Sequence, residues 1–127
     1  MSRFPLRVWA GRWAVCRLPP DAIVPAWASV PAALSVIART AAELSVVAPA
    51  AHVPSDVCSE RGFRVIEVVG PVPFTVTGLI ASLAQPLADA GVSLFPVATY
   101  DTDYVLVQEA SLPRAIDALR AAGFEVT

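Results

Sequence analysis

The chain repeats itself, and the repeat limits its fold more than any other feature. Ser35-Val36-Ile37-Ala38-Arg39-Thr40 through Glu43-Leu44-Ser45-Val46-Val47 aligns without a gap on Phe95 to Val107, with Thr40 on Tyr100 and Glu43 on Asp103. In both copies a β-branched run, a polar turn and a second β-branched run follow one another, the pattern of a hairpin. Further on, Val53-Pro54 and Gly62-Phe63-Arg64-Val65 echo Leu112-Pro113 and Gly123-Phe124-Glu125-Val126. A chain with such a period is built from two copies of one unit. The strand expected from Phe63 runs straight into Val65-Ile66-Glu67-Val68-Val69, which leaves no linker between them. The reading is therefore two interlocked lobes, 1–64 and 65–127.

The second copy is the clearer. Thr77 is placed to cap a helix whose apolar face is Leu79, Ile80, Leu83 and Leu87, and Gly91 is placed to end it. Pro86 breaks the local rule, because it removes the backbone bond to Ser82. A second helix is expected from Ser111 as its cap, with Pro113 in the first turn, Leu112, Ala115, Ile116 and Leu119 inward, and Gly123 at the end. With Val65–Val69 first and Phe124–Val126 last, the order is βαββαβ. Pro96 suits an edge strand, since it has no ladder donor to offer.

The first copy is more divergent. Leu6 to Leu18 reads as a hairpin turning at Ala10-Gly11, and Pro19-Pro20-Asp21 ends it. Pro25 and Pro31 restrict Ala22 to Ala33 to one or two short helical turns. The helix between Val53 and Phe63 is reduced to about Ser55 to Arg61.

Composition excludes several functions. The chain has 127 residues and is 56% hydrophobic but only 16% charged, enough to bury an extensive core and still leave apolar surface for a partner. A homodimer is expected on that ground. No apolar run reaches the roughly 18 residues of a membrane span, and a net charge of −2 offers no footprint for nucleic acid. Met1-Ser2-Arg3-Phe4-Pro5 is followed by Arg7, Gly11 and Arg12 rather than by a signal peptide's apolar run, so a cytoplasmic protein is expected. Cys16 and Cys58 have no metal-ligand spacing and are expected as free thiols. His52, Asp56 and Cys58 do not make a metal set. One His, no Lys and no nucleophile motif argue against an enzyme, and no cofactor is expected. Trp9, Trp13 and Trp27 are expected in core or interface.

The stretch Gly91 to Val107, with its polar turn Tyr100-Asp101-Thr102-Asp103, and Gly78-Leu79-Ile80-Ala81-Ser82 before it resemble the ACT-domain family. Within that family they are similar to free-standing paired-ACT proteins related to the aspartate kinase regulatory region and to cytosolic arginine sensors. The resemblance is close over Gly70 to Val126. It implies an α+β fold of two ferredoxin-like βαββαβ lobes with antiparallel sheets. It also implies a small-molecule ligand, an amino acid, held between the loop that opens the first helix and the start of the second hairpin strand. Carried onto this chain, it nominates Gly78, Leu79, Ile80 and Ala81 on one side and Thr99, Tyr100, Asp101 and Thr102 on the other. The residues alone agree in part: a helix N-terminus suits a carboxylate, and Asp101 can accept from an ammonium group. The expected function is a ligand-binding sensor that signals to a regulated protein partner. The alternative is a structural or interaction module with a vestigial pocket.

Overall fold

The computed structural model describes residues 4–31 and 33–127. Met1–Arg3, with the part of the N-terminal reading that rests on them, and Ala32 in the expected Ala22–Ala33 turns lie outside the described residues. The fold is mixed α/β with antiparallel strand pairing. It divides into two compact units, Gly11–Phe63 and Met1–Ala10 with Arg64–Thr127.

The larger unit carries β1 (Leu6–Val8), the second part of β5 (Ser59–Val68), α1 (Leu79–Asp89), β6 (Phe95–Ala98), β7 (Asp103–Gln108) and α2 (Leu112–Ala121). Its strands run β5, β7, β6, and β1 pairs with β5 in the register Leu6↔Val68, Arg7↔Glu67, Val8↔Ile66. β5 is therefore central, and among the described residues β6 with Pro96 is an edge strand paired with β7. The last strand is reduced to a parallel bridge from Val126 to Leu6, with hydrogen bonds from Leu6 N–H to Glu125 O and from Val8 N–H to Thr127 O, both 2.8 Å.

Alternation on β5 and β7 sends Ile66, Val68, Val105 and Val107 to one face, where Leu83 and Leu87 of α1 and Leu119 of α2 pack on them. Burying each such side chain contributes about 1.5–3 kcal/mol. Ile80, expected on the buried face of α1, is instead 38% exposed.

The smaller unit orders its strands β3 (Val36–Arg39), β4 (Leu44–Pro49), β2 (Trp13–Leu18) and the first part of β5. Between the pairs Val15↔Glu60 and Trp13↔Phe63, β5 takes three steps where β2 takes two, which is a β-bulge. Ala14, Cys16, Leu44, Val46 and Ala48 form its core with Ala28. Burial pushes the Cys16 thiol above its usual range, whereas Cys58 is exposed, and both are free. Trp13 is buried and donates from Nε1 to Leu34 O at 2.9 Å.

Several expectations need correction. Leu6–Leu18 is not a hairpin, because β1 pairs with β5 and β2 with β4. Residues 4–10 accordingly group with the larger unit and not with a 1–64 lobe. No helix forms over Ser55–Arg61. A 3₁₀ turn at Ala50–His52 and a turn at Ser55-Asp56 precede Ser59, where β5 already begins. Arg61 stabilises that segment by donating to the carbonyls of Ala50, Val53 and Pro54 at 2.9–3.2 Å.

The two hairpins are offset by one residue from their sequence alignment. Arg39↔Leu44 closes the first ladder and Ala98↔Asp103 the second. Thr40 N–H donates to Glu43 O at 2.9 Å, as Thr99 N–H donates to Thr102 O at 2.8 Å. Thr40 therefore corresponds to Thr99, not Tyr100, and Glu43 to Thr102, not Asp103.

Candidate functional site

The site is assembled in the larger unit from the loop after β5, the start of α1 and the turn between β6 and β7. Thr99 organises that turn. Its hydroxyl accepts from Thr102 N–H at 3.3 Å and lies 3.0 Å from Thr102 O, to which it donates. Thr102 then anchors the turn to the sheet, since its buried hydroxyl donates to Val68 O at 2.5 Å. The incoming loop is clamped to the same turn by a bond from Val72 N–H to Asp101 O at 2.6 Å. Gly70 is required for this approach: a Cβ there would lie 2.8 Å from Val72 N and 3.0 Å from Asp101 O.

Past the loop, Val76 N–H returns to Pro73 O at 3.0 Å, and the chain enters α1. The residue at the helix boundary is Gly78, with φ +78°, not Thr77, and no side chain caps the helix. A left-handed backbone at this position is why a glycine stands here. Ser82 N–H to Gly78 O at 2.9 Å is the first bond of the helix, so the amides of Leu79, Ile80 and Ala81 precede it. Ser111, the expected cap of α2, also makes no side-chain cap bond, because a 3₁₀ turn at Glu109–Ser111 runs directly into the helix.

Between these segments lies a cavity of about 180 Å³. Val72, Phe74, Val76 and Leu79 supply its apolar lining, and Thr99, Tyr100, Thr102 and Asp103 its polar lining. Of the eight residues nominated from the sequence, Leu79, Thr99, Tyr100 and Thr102 line it. Asp101 lines a second, adjoining cavity of about 230 Å³. Gly78, Ile80 and Ala81 are exposed at the helix start and line neither.

The nominations omitted Val72, Phe74, Val76 and Asp103. Asp103 was visible as the second carboxylate of the polar turn. The loop residues had only one sequence signal, an apolar run punctuated by Pro71 and Pro73. Phe74 contacts Tyr100 edge-to-face, with ring centroids 4.9 Å apart at 74°.

Nearby, Trp9 donates from Nε1 to Glu67 at 2.9 Å and stands edge-on to Tyr104 at 5.7 Å. Burial pushes the Tyr104 phenol up, and the negative charges of Glu67 and Asp101 add to the shift. None of the three tryptophans lines either cavity. Among the described residues no group of His, Cys, Asp and Glu could hold a metal ion. Nor is any helix among them long and apolar enough to cross a membrane.

The ACT-domain family model matches residues 58–121, half of the chain, which takes in β5, both helices and both cavities. The chain belongs to the ACT-domain family. A separate model for an N-terminal domain matches residues 11–56, within the smaller unit. Protein Atu0741 from Agobacterium tumefaciens is 32% identical, with a TM-score of 0.92 over 100% of this chain and 94% of that one. VC0802 from Vibrio cholerae, described as a protein of unknown function and possible transport protein, is 23% identical with a TM-score of 0.74, over 94% of this chain and 89% of its own. The regulatory subunit of aspartate kinase from Thermus thermophilus shares the fold at 11% identity, with a TM-score of 0.65 over 96% of this chain and 99% of that chain.

Proposed function

We propose that this ACT-domain protein is a regulatory sensor that binds an amino acid in the cavity between the Val72–Val76 loop, Leu79 and the Thr99–Thr102 turn. The observation that carries the reading is the cavity itself. It places an apolar wall opposite hydroxyls and a carboxylate, beside the first turn of a helix whose amide dipoles favour a carboxylate group. Membership of the family and the fold shared with an aspartate kinase regulatory subunit support it.

On this reading the chain is not an enzyme. It works in the cytoplasm as a homodimer, and the occupied cavity alters the surface met by a regulated protein. The smaller unit is a reduced second ACT lobe in which 3₁₀ turns replace helices, which accounts for the repeated hairpin. An interaction module with a vestigial pocket is the competing reading. It is favoured by the exposure of Phe74, Val76 and Tyr100, which line the first cavity.

A thermal-denaturation screen of the common amino acids decides between them. A specific ligand at a hundred times its dissociation constant adds about 2.7 kcal/mol, and amide shifts should then concentrate at Val72, Leu79 and Thr99. Shifts confined to other parts of the chain, or no stabilising amino acid, would leave the interaction module.

A further inference from the structure

The repeated hairpin leaves two strand edges that differ at one residue. Among the described residues β3 is the edge strand of the smaller unit, as β6 is of the larger. Residues facing each other in an antiparallel ladder alternate between pairs that exchange both backbone bonds and pairs that exchange none. Counted back from the bonds of Thr40 N–H to Glu43 O and Thr99 N–H to Thr102 O, Val36 and Ala38 bond to β4 as Phe95 and Val97 bond to β7. Ile37 and Arg39, like Pro96 and Ala98, turn their backbone groups outward. Because Thr40 corresponds to Thr99, Ile37 stands where the other copy has Pro96. Proline has no N–H to offer there, and it closes the β6 edge to a further strand. Isoleucine keeps the donor and leaves the β3 edge open.

The surroundings of β3 are apolar as well. Ile23 is 91% exposed, Ile37 44% and Val24 41%. Arg39 lies on the same face of β3 as Ile37. Its guanidinium donates to the carbonyls of Pro20 and Ala22, the latter at 2.8 Å, which fixes the segment bearing Ile23 and Val24 alongside that face. A charged side chain on an edge ordinarily deters pairing. Here the charge is held by its own chain, and the apolar side chains beside it stay in water with no gain to the fold.

We propose that the β3 edge is the contact between two copies of this chain, paired antiparallel about a two-fold axis with Ile37 opposite Ile37 of the second copy. This rests on the reading of the protein as a homodimer and adds the surface. In that register the outward N–H and C=O of Ile37 meet the C=O and N–H of the same residue, and Arg39 falls opposite Ser35, so no like charges are brought together. Directly opposed residues share a face, so Ile37 of each copy, with the Ile23 and Val24 held beside it, comes to one face of the joined sheet. A foreign strand would have to supply both matches, whereas a second copy carries them. So short a ladder makes a reversible contact rather than an obligate one.

Sedimentation of the full chain over a concentration series, with hydrogen exchange measured at both ends of it, tests this. The expected result is a reversible dimer in which the amides of Ile37 and Arg39 exchange slowly at high concentration and fast at low. Ala38 should stay protected throughout, and Ala98, the β6 counterpart of Arg39, should exchange fast throughout. Ile37→Pro, which copies the β6 edge and removes an amide that β4 does not use, should weaken the dimer about ten- to a hundredfold. Ile23→Glu, at a side chain almost wholly in water, should weaken it as well with circular dichroism unchanged, and it keeps the test open if the proline disturbs the strand. A dimer whose Ile37 and Arg39 amides ignore concentration would have its interface elsewhere, which overturns the proposal and leaves the homodimer reading intact. A chain that stays monomeric would overturn both and leave the edge to an extended segment of another protein.

Discussion

Thr102 links the candidate site to the sheet through one hydroxyl. It is the buried polar residue of the described chain, and its hydrogen bond reaches Val68, 34 positions earlier. Replacing it by Val keeps the shape and deletes the donor, leaving the Val68 carbonyl without that bond. Urea denaturation should show Thr102→Val less stable by about 1–3 kcal/mol, and Thr102→Ser, which keeps the hydroxyl and loses one methyl, less stable by only about 1 kcal/mol. Little of this was legible beforehand. Tyr100-Asp101-Thr102-Asp103 announced a turn because short polar side chains between two apolar runs can bond their own backbone, yet the sequence could not say which of them pointed inward. Asp101, the residue with the most evident binding chemistry, lies outside the first cavity, and Thr102 lines it. Phe74 carried no periodic signal at all. Its place depends on Gly70 allowing the loop against the turn and on the bond from Val72 to Asp101, both tertiary events.

At the scale of elements, amphipathic spacing foretold both helices, because a face of Leu83 and Leu87, or of Leu112, Ala115 and Leu119, has to be covered. Their beginnings were less legible. Capping rules look for an oxygen-bearing side chain, but α1 starts after a left-handed glycine and α2 continues from a 3₁₀ turn. The hairpin repeat was legible to within one residue. That residue matters, since a single step in a strand exchanges the faces, and the ladder-closing pairs correct it. Pro86 remains the one internal departure from helix chemistry: α1 runs through it to Asp89. Within the helix it withholds the amide that would meet the Ser82 carbonyl, while the Ser82 hydroxyl donates back to Leu79 O at 2.7 Å. Restoring the amide in Pro86→Ala should raise stability by about 1–3 kcal/mol. Calorimetric melting of the two proteins measures it, and an unchanged or lowered transition would show that the ring's packing outweighs the missing bond.

For the whole molecule the decisive feature is that β1 is remote in sequence from the unit it completes. The boundary between Arg64 and Val65 suggested by the repeat would give a fragment 65–127 containing every element of a βαββαβ unit. In the structure that fragment lacks Leu6–Val8, which pairs with β5 along Ile66–Val68 and receives the chain end through Val126. It would expose the β5 edge, open the place of fully buried Leu6 in the core, and leave Glu125 and Thr127 without the backbone partners they have on Leu6 and Val8. Sequence could not reveal this, because Leu6-Arg7-Val8 is as compatible with pairing to its neighbour Trp13–Leu18 as with pairing sixty residues away; local alternation specifies a strand, not its partner. Removing Leu6 from a core costs several kcal/mol by itself, about 2–5 for a truncation to Ala, against a total of about 5–15 kcal/mol for a typical domain. Fragment 65–127 should therefore show collapsed amide dispersion in NMR. The same fragment with residues 4–10 joined to Val65 through a flexible linker should recover dispersed signals and a cooperative melt. Equal folding of the two would mean that β1 is dispensable to the larger unit and that the repeat boundary is also the folding boundary.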